Sequence, residues 1–161
     1  MTDEERKQHA IELFQQAYER QMQGQLEEAI ASYQRSLELY PTAEAYTFLG
    51  WTYSFMGRYD EAIEECLKAI EVDPDFGNPY NDIGAYLIEL GRWDEAIPWL
   101  QKATVAKRYE SRCFPHFNLG RVYERKGQWQ QALGAYEQAI QVSPEYLLAH
   151  HALNRLKAML S

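Results

Sequence analysis

The sequence predicts an all-α chain in which antiparallel helix pairs stack side by side as a solenoid. Three observations predict it. First, a block opening on glycine recurs four times: GQLEEAIASYQRSLELYP (24–41), GRYDEAIEECLKAIEVDP (57–74), GRWDEAIPWLQKATVAKR (91–108) and GQWQQALGAYEQAIQVSP (127–144). Second, Gly24, Gly57, Gly91 and Gly127 stand 33, 34 and 36 residues apart, and Ala29, Ala62, Ala96 and Ala132 keep the same spacings. Third, YTFLGWTY (46–53), YNDIGAYL (80–87) and HFNLGRVY (116–123) precede three of these blocks, with Gly50, Gly84 and Gly120 34 and 36 residues apart. A period of this length marks a repeat architecture, in which each unit buries its apolar face only against its neighbours.

Taken in order, the elements follow from local chemistry. Thr2 and Glu5 are placed as a capping box for the first helix. The first unit runs over about 10–42 and the second over about 43–76. The third covers about 77–112, the fourth about 113–146, and all belong to one domain, 1–161. Each segment within a unit is an apolar-periodic helix of roughly 13 residues. Gly57, Gly91 and Gly127 suit the left-handed turn that ends one helix and starts the next. Small residues at Gly50, Gly84, Gly120 and the four recurring alanines let helix axes approach. Pro41, Pro74 and Pro144 close three units. Pro98 falls inside a helix near its first turn, where its cost is softened. The tail PEYLLAHHALNRLKAML (144–160) reads as one amphipathic helix, capped by Ser143, opened by Pro144 and covering the last unit at about 147–161.

One junction departs from the rhythm. KRYESRCFPHFNLG (107–120) lacks the proline, is longer, and is basic in an acidic chain. Residues 102–126 hold seven Lys and Arg against two acids, +5 where the whole chain is −8, which leaves the remainder at −13. The reading offered is that the junction widens a groove and supplies its cationic end; a solvated charge run serves equally for Lys107 and Arg108.

These residues resemble the tetratricopeptide repeat, a 34-residue helix–turn–helix unit with an aromatic, Leu-Gly and Tyr, then Ala, an aromatic, Ala and Pro. YTFLGWTY…GRYDEAIEECLKAIEVDP fits except at Cys66, which replaces the second aromatic, and GRVYERKGQWQQALGAYEQAIQVSP fits almost throughout. The first unit is degenerate, with Arg20 where the tyrosine belongs. The resemblance covers roughly residues 10–146. It implies a right-handed α-α superhelix whose first helices line a concave groove. The implied groove residues include Phe14 and Tyr18, then Phe48 and Trp51, then Asn78, Asn81 and Asp82, then Phe117, Asn118, Arg121 and Arg125. Leu49 and Tyr53 already serve as the unit's packing residues, so Phe48 and Trp51 stand out as surplus aromatics. Phe55 and Phe114 divide evenly between core and site. Asn78, Asn81 and Asn118 suit hydrogen bonds to an extended peptide, against a cap for Asn78 and plain solvation for the others. Arg121 and Arg125, one turn apart, suit an acidic group of a partner. The Lys and Asn residues with which some family members hold a chaperone C-terminus are absent: Thr47, Trp51, Asp82, Phe114 and Asn118 stand there.

Composition narrows the function classes. A net charge of −8 argues against nucleic acid and against anionic membranes. Cys66 and Cys113 form no CxxC pair, the N-terminus lacks the pattern of a signal peptide, and no apolar run approaches the ~20 residues of a membrane helix. A cytoplasmic protein is expected. His9, His116, His150 and His151 are scattered, Cys113 and His116 make only half a structural zinc site, and no glycine sits in a phosphate loop. No enzyme, cofactor or metal is expected. The sequence thus points to an adaptor that binds a protein or peptide in its groove, with a self-associating scaffold, a homo-oligomer, as the alternative.

Overall fold

The computed structural model describes residues 1–161 and contains nine α-helices: α1 (Asp3–Met22), α2 (Leu26–Leu39), α3 (Ala43–Phe55), α4 (Tyr59–Val72), α5 (Asn78–Glu89), α6 (Trp93–Val105), α7 (Cys113–Arg125), α8 (Trp129–Val142) and α9 (Leu147–Leu160). No sheet forms; an isolated bridge joins Phe76 and Arg108. The helices pack as α1 with α2, α3 with α4, α5 with α6 and α7 with α8. Each pair docks on the next through its neighbouring helices, and α9 lies on α8. This is the right-handed solenoid of antiparallel pairs.

Local sequence accounts for the turns. Thr2 Oγ1 accepts the Glu5 N–H at 3.1 Å while Glu5 Oε2 accepts the Thr2 N–H at 2.8 Å, completing the box that starts α1. Thr42 Oγ1 accepts the Ala45 N–H at 3.1 Å and starts α3. Gly24, Gly57, Gly91 and Gly127 have φ between 72° and 78°, the left-handed backbone that a Cβ disfavours. At Gly57 this lets the next residue fold back, so that Arg58 N–H reaches Tyr53 O at 3.0 Å. The second group of glycines works by contact instead. A Cβ on Gly84 would lie 2.4 Å from Leu100 Cδ2, and one on Gly120 would lie 2.3 Å from Tyr136 Cε1. These glycines let α5 seat against α6 and α7 against α8, where Ala96 and Ala132 are fully buried, and Gly50 seats α3 in the same way on α4, where a Cβ would lie 2.9 Å from Ala62 O.

The tail differs from expectation. Ser143 closes α8 and donates no cap to the next helix; Pro144 and Glu145 form a turn, and α9 begins only at Leu147. Nor is α9 merely a solvating cover: Ala149, Ala152, Leu153 and Leu156 pack inward, but Leu147, Leu148, Met159 and Leu160 are exposed.

The basic junction has a structural explanation. Arg108 N–H bonds Asp75 O at 2.9 Å, and Arg108 O accepts from Gly77 N–H at 3.0 Å. Its guanidinium bonds Asp73 at 2.7 Å and Glu44 at 2.9 Å, and lies 4.2 Å from the Phe76 ring centroid. Next to it, Tyr109 is buried over Gly77, where a Cβ would fall 2.4 Å from Tyr109 Cβ. Arg112 donates to Thr104 O at 2.7 Å and Ala106 O at 2.6 Å, taking up carbonyls at the end of α6. The missing proline is replaced by a side-chain clasp. Arg108 and Arg112 are spent on it, so they do not form the cationic end of a groove.

Candidate protein-interaction groove

The first helices of successive pairs, α1, α3, α5 and α7, present one common face. An aromatic ladder runs across it. Phe14 of α1 meets Phe48 of α3 with ring centroids 5.1 Å apart, Phe48 meets Trp51 at 5.9 Å, and Trp51 meets Phe55 at 4.8 Å. Tyr18 also touches Phe48, at 5.9 Å. Phe48 therefore belongs partly to the packing, for it also lies against buried Tyr33. Trp51 and Phe55 carry the ladder outward, and Phe55 is 52 % exposed.

Beside the ladder opens a cavity of about 280 Å³. Its α3 wall is Glu44, Thr47, Phe48 and Trp51. Its α5 wall is Asn78, Asn81 and Asp82. Phe76, Tyr109, Ser111 and Phe114 close it from the two connecting segments and the start of α7. Asp82 is the unusual member. It is densely surrounded by protein yet open to the cavity, it makes no hydrogen bond or ion pair, and loss of solvation alone pushes its carboxyl up to about 7. The same burial pushes up the Cys66 thiol and the Tyr86 and Tyr109 hydroxyls around it, with the Asp82 charge adding to each.

The other groove residues singled out from the sequence divide into separate surroundings. Phe48, Trp51, Asn78 and Asn81 line the cavity. Asn78 sits in the first turn of α5 and caps nothing with its side chain. Asn81 and Asn118 are buried rather than solvated, and they bond each other: Asn118 Nδ2 donates to Asn81 Oδ1 at 3.1 Å, while Asn118 Oδ1 accepts from Arg121 at 3.1 Å. Phe14 lines a neighbouring concavity with Lys7, Ile11 and Tyr40. Phe117 packs against Tyr136 and Tyr146 at 5.7 and 5.5 Å. Arg121 and Arg125 lie away from the cavity, on a shallow surface with Trp93, Glu124, Trp129 and Arg155. There Arg121 comes within 3.9 Å of Glu89, and Arg125 lies over the Trp93 ring at 5.5 Å. Glu44, Phe76, Tyr109 and Ser111 escaped the sequence reading because three of them come from connecting segments that the repeat pattern does not place.

Models of the tetratricopeptide repeat match residues 10–43, 43–76 and 75–145. Among characterised proteins, the chain is 35% identical over 75 residues (46% of its length) to the small glutamine-rich tetratricopeptide repeat-containing protein 2 of Mycosarcoma maydis. It is 28% identical over 129 residues (80% of its length) to anaphase-promoting complex subunit 3 of Schizosaccharomyces pombe. It spans 21% and 19% of those proteins. Among solved structures, YrrB, described as a TPR protein with an unusual peptide-binding site, superposes with a TM-score of 0.70 at 26% identity, over 93% of this chain and 77% of that one. MamA gives a TM-score of 0.74 at 26% identity over 87% and 81%. Pseudomonas aeruginosa PilF gives 0.86 at 24% over 94% and 68%, a likeness of fold. The three matches leave only the ends of the chain uncovered, and with the helix pairs and their glycine turns they establish that this protein belongs to the tetratricopeptide repeat family.

Proposed function

We propose that this protein is a protein-interaction adaptor that holds a peptide or helical segment of a partner in its concave groove. The observation that carries the reading is the ladder from Phe14 to Phe55 running into an open cavity on the same face. Aromatic anchors of this kind supply much of the binding energy at protein interfaces, and a concave apolar site with a few polar groups is the usual form of a ligand pocket. YrrB, whose fold this chain shares, is described as binding peptide, which supports the same use of the face. An acidic partner group, expected from Arg121 and Arg125, would have to engage the outlying surface, where both cations already have neighbours.

The test is selection from a random peptide display library, followed by affinity measurement on Trp51→Ala and on Glu64→Ala, the latter on the exposed side of α4. Peptides that bind the native protein and Glu64→Ala but lose tenfold or more with Trp51→Ala support the groove. No enrichment, or enrichment indifferent to Trp51, overturns it. Exposed Leu147, Leu148, Met159 and Leu160 favour the alternative of self-association through α9. Sedimentation across a dilution series decides that: a stable oligomer dispersed by Leu148→Lys would establish the scaffold.

A further inference from the structure

We infer that the cavity between α3, α5 and α7 is a receptor for a basic side chain, a lysine or arginine presented by the bound partner, with Asp82 as its counter-ion. The inference rests on the groove reading and names what the groove recognises.

The argument starts from cost. A carboxylate enclosed by protein is ordinarily paired, because an unpaired one forfeits its hydration. Three carboxylates stand in or beside this region. Glu44 and Asp73 share the Arg108 guanidinium, at 2.9 and 2.7 Å. Asp82 has no partner, and Arg108, which borders the same lining residues, is already committed to the other two carboxylates. Nothing in the packing requires an acid at this position: its neighbours on α5, Ile83 and Tyr86, bury apolar surface, and Asn81 satisfies itself on Asn118. A charge with no structural role, opening into a cavity, is placed for a ligand.

The walls fit a cation and not an anion. Phe48, Trp51, Tyr109 and Phe114 give aromatic surface, whose negative faces attract an ammonium or guanidinium. Asn78 and Ser111 provide polar atoms at the lining for the remaining N–H donors. The stem of a long basic side chain would lie along the aromatic ladder and its head would meet Asp82. At about 280 Å³ the cavity takes one side chain rather than a cofactor. The chain's net charge of −8 draws a basic segment towards it at longer range. An acidic ligand would meet Asp82 and Glu44 without a free cation to offset them.

The experiment uses the full chain and positional-scanning decapeptide pools in which one position is fixed as Lys, Arg, norleucine or Glu. Retention is compared on the native protein, Asp82→Asn and Trp51→Ala. Norleucine keeps the length and apolar stem of lysine without its charge. The expected result is that at some position the Lys or Arg pool is retained at least tenfold over norleucine and Glu. Asp82→Asn should reduce that preference to under threefold, and Trp51→Ala should lower retention of every pool. Pools that bind in a Trp51-dependent way, but with norleucine or Glu equal to Lys, overturn the receptor and leave the groove standing. Retention indifferent to Trp51, or none at all, removes both. A basic preference unchanged in Asp82→Asn overturns the assignment to this cavity. Since Asp82→Asn is isosteric, its fold is checked by helicity before binding is read.

Discussion

Arg108 and Glu44 are 64 positions apart and meet at 2.9 Å. The contact ties the junction between the third and fourth helix pairs back to the first turn of α3, and Asp73 joins it at 2.7 Å. Repeat proteins hold together mainly through neighbouring units. Here a side chain from a connecting segment supplies such a contact, from the end of the third unit to the start of the second, and it does so where the sequence drops the proline that closes the other three units.

Replacing Arg108 with alanine should cost about 1 kcal/mol of stability. The guanidinium is half exposed, so each ion pair contributes at most ~1 kcal/mol, and its contact with the Phe76 ring adds a similar small amount. Arg108→Lys should recover less than half, because an ammonium lacks the planar fork that reaches two carboxylates at once. Urea unfolding at low and high salt measures both. A loss unchanged by salt would mean that the ion pairs contribute nothing and that packing on the Phe76 ring accounts for it; no loss at all would mean that the backbone bonds to Asp75 and Gly77 hold the junction without the guanidinium.

The glycine contacts set a sharper expectation. Gly120→Ala drives a Cβ to within 2.3 Å of the Tyr136 ring, which is buried, packed at a tilt against Phe117 and hydrogen-bonded to Glu124 at 3.0 Å. The ring has little room to retreat, so a loss of about 1–3 kcal/mol is expected, typical of overpacking. The clash at Gly84 involves the tip of Leu100, also fully buried, and belongs in the same range. Gly134 meets nothing within 4 Å, and Gly134→Ala should be neutral or slightly stabilising, since it lies within α8. Thermal unfolding of the three variants ranks them; equal midpoints would refute the contact argument.

The same residues show how far the sequence speaks. Glycines equivalent to Gly120 recur in three units and alanines equivalent to Ala132 in all four because each helix pair needs the same close approach, so the stacked pairs are legible from spacing and the superhelix from the family resemblance. The aromatic ladder was legible in part: Trp51 reads as a surplus aromatic and carries the ladder outward, whereas Phe48, which reads the same way, also packs between units against Phe14 and Tyr33. The pairing of polar groups was not. Asn81 and Asn118 are 37 positions apart, about one unit, and each alone looks like a free groove residue. Arg108 and Arg112 looked like a cationic surface because a charge count registers the cations and not their partners. Asp82 was visible as a groove position, but its lack of a partner is a property of the folded surroundings.

The paired amides give a test that separates structure from binding. Asn118→Ala leaves Asn81 Oδ1 buried without a donor, and should cost about 1–3 kcal/mol. Removing both amides should cost less than the two single losses combined, because no orphaned group remains. A double-mutant cycle in denaturant measures the coupling. Strictly additive losses would show that the two side chains do not bond in solution.

Asp82 should give the free protein an unusual pH dependence. Its folded carboxyl is raised to about 7 from 3.8, so the folded state holds that proton where the unfolded chain has released it. Its contribution to stability is full below about pH 4 and is lost as pH rises towards 7. Asp73 and Glu124 act in the opposite sense: Arg108 and Arg155 hold their carboxyls low, so their contribution is present above the ordinary carboxylate range and is lost in acid. The whole-protein profile mixes the two, and the difference between the native protein and Asp82→Asn isolates one. The groups facing Asp82 are Glu44 of α3, Cys66 of α4, Tyr86 of α5 and Tyr109 of the junction, and none is a cation. The thiol and both hydroxyls stay neutral over this range because burial raises them. Asp82→Asn should therefore unfold at nearly the native temperature at pH 4 and several degrees higher at pH 8, once the uncompensated charge is gone. A constant offset between the two proteins from pH 4 to 8 would mean that Asp82 is hydrated in solution and titrates as an ordinary carboxylate.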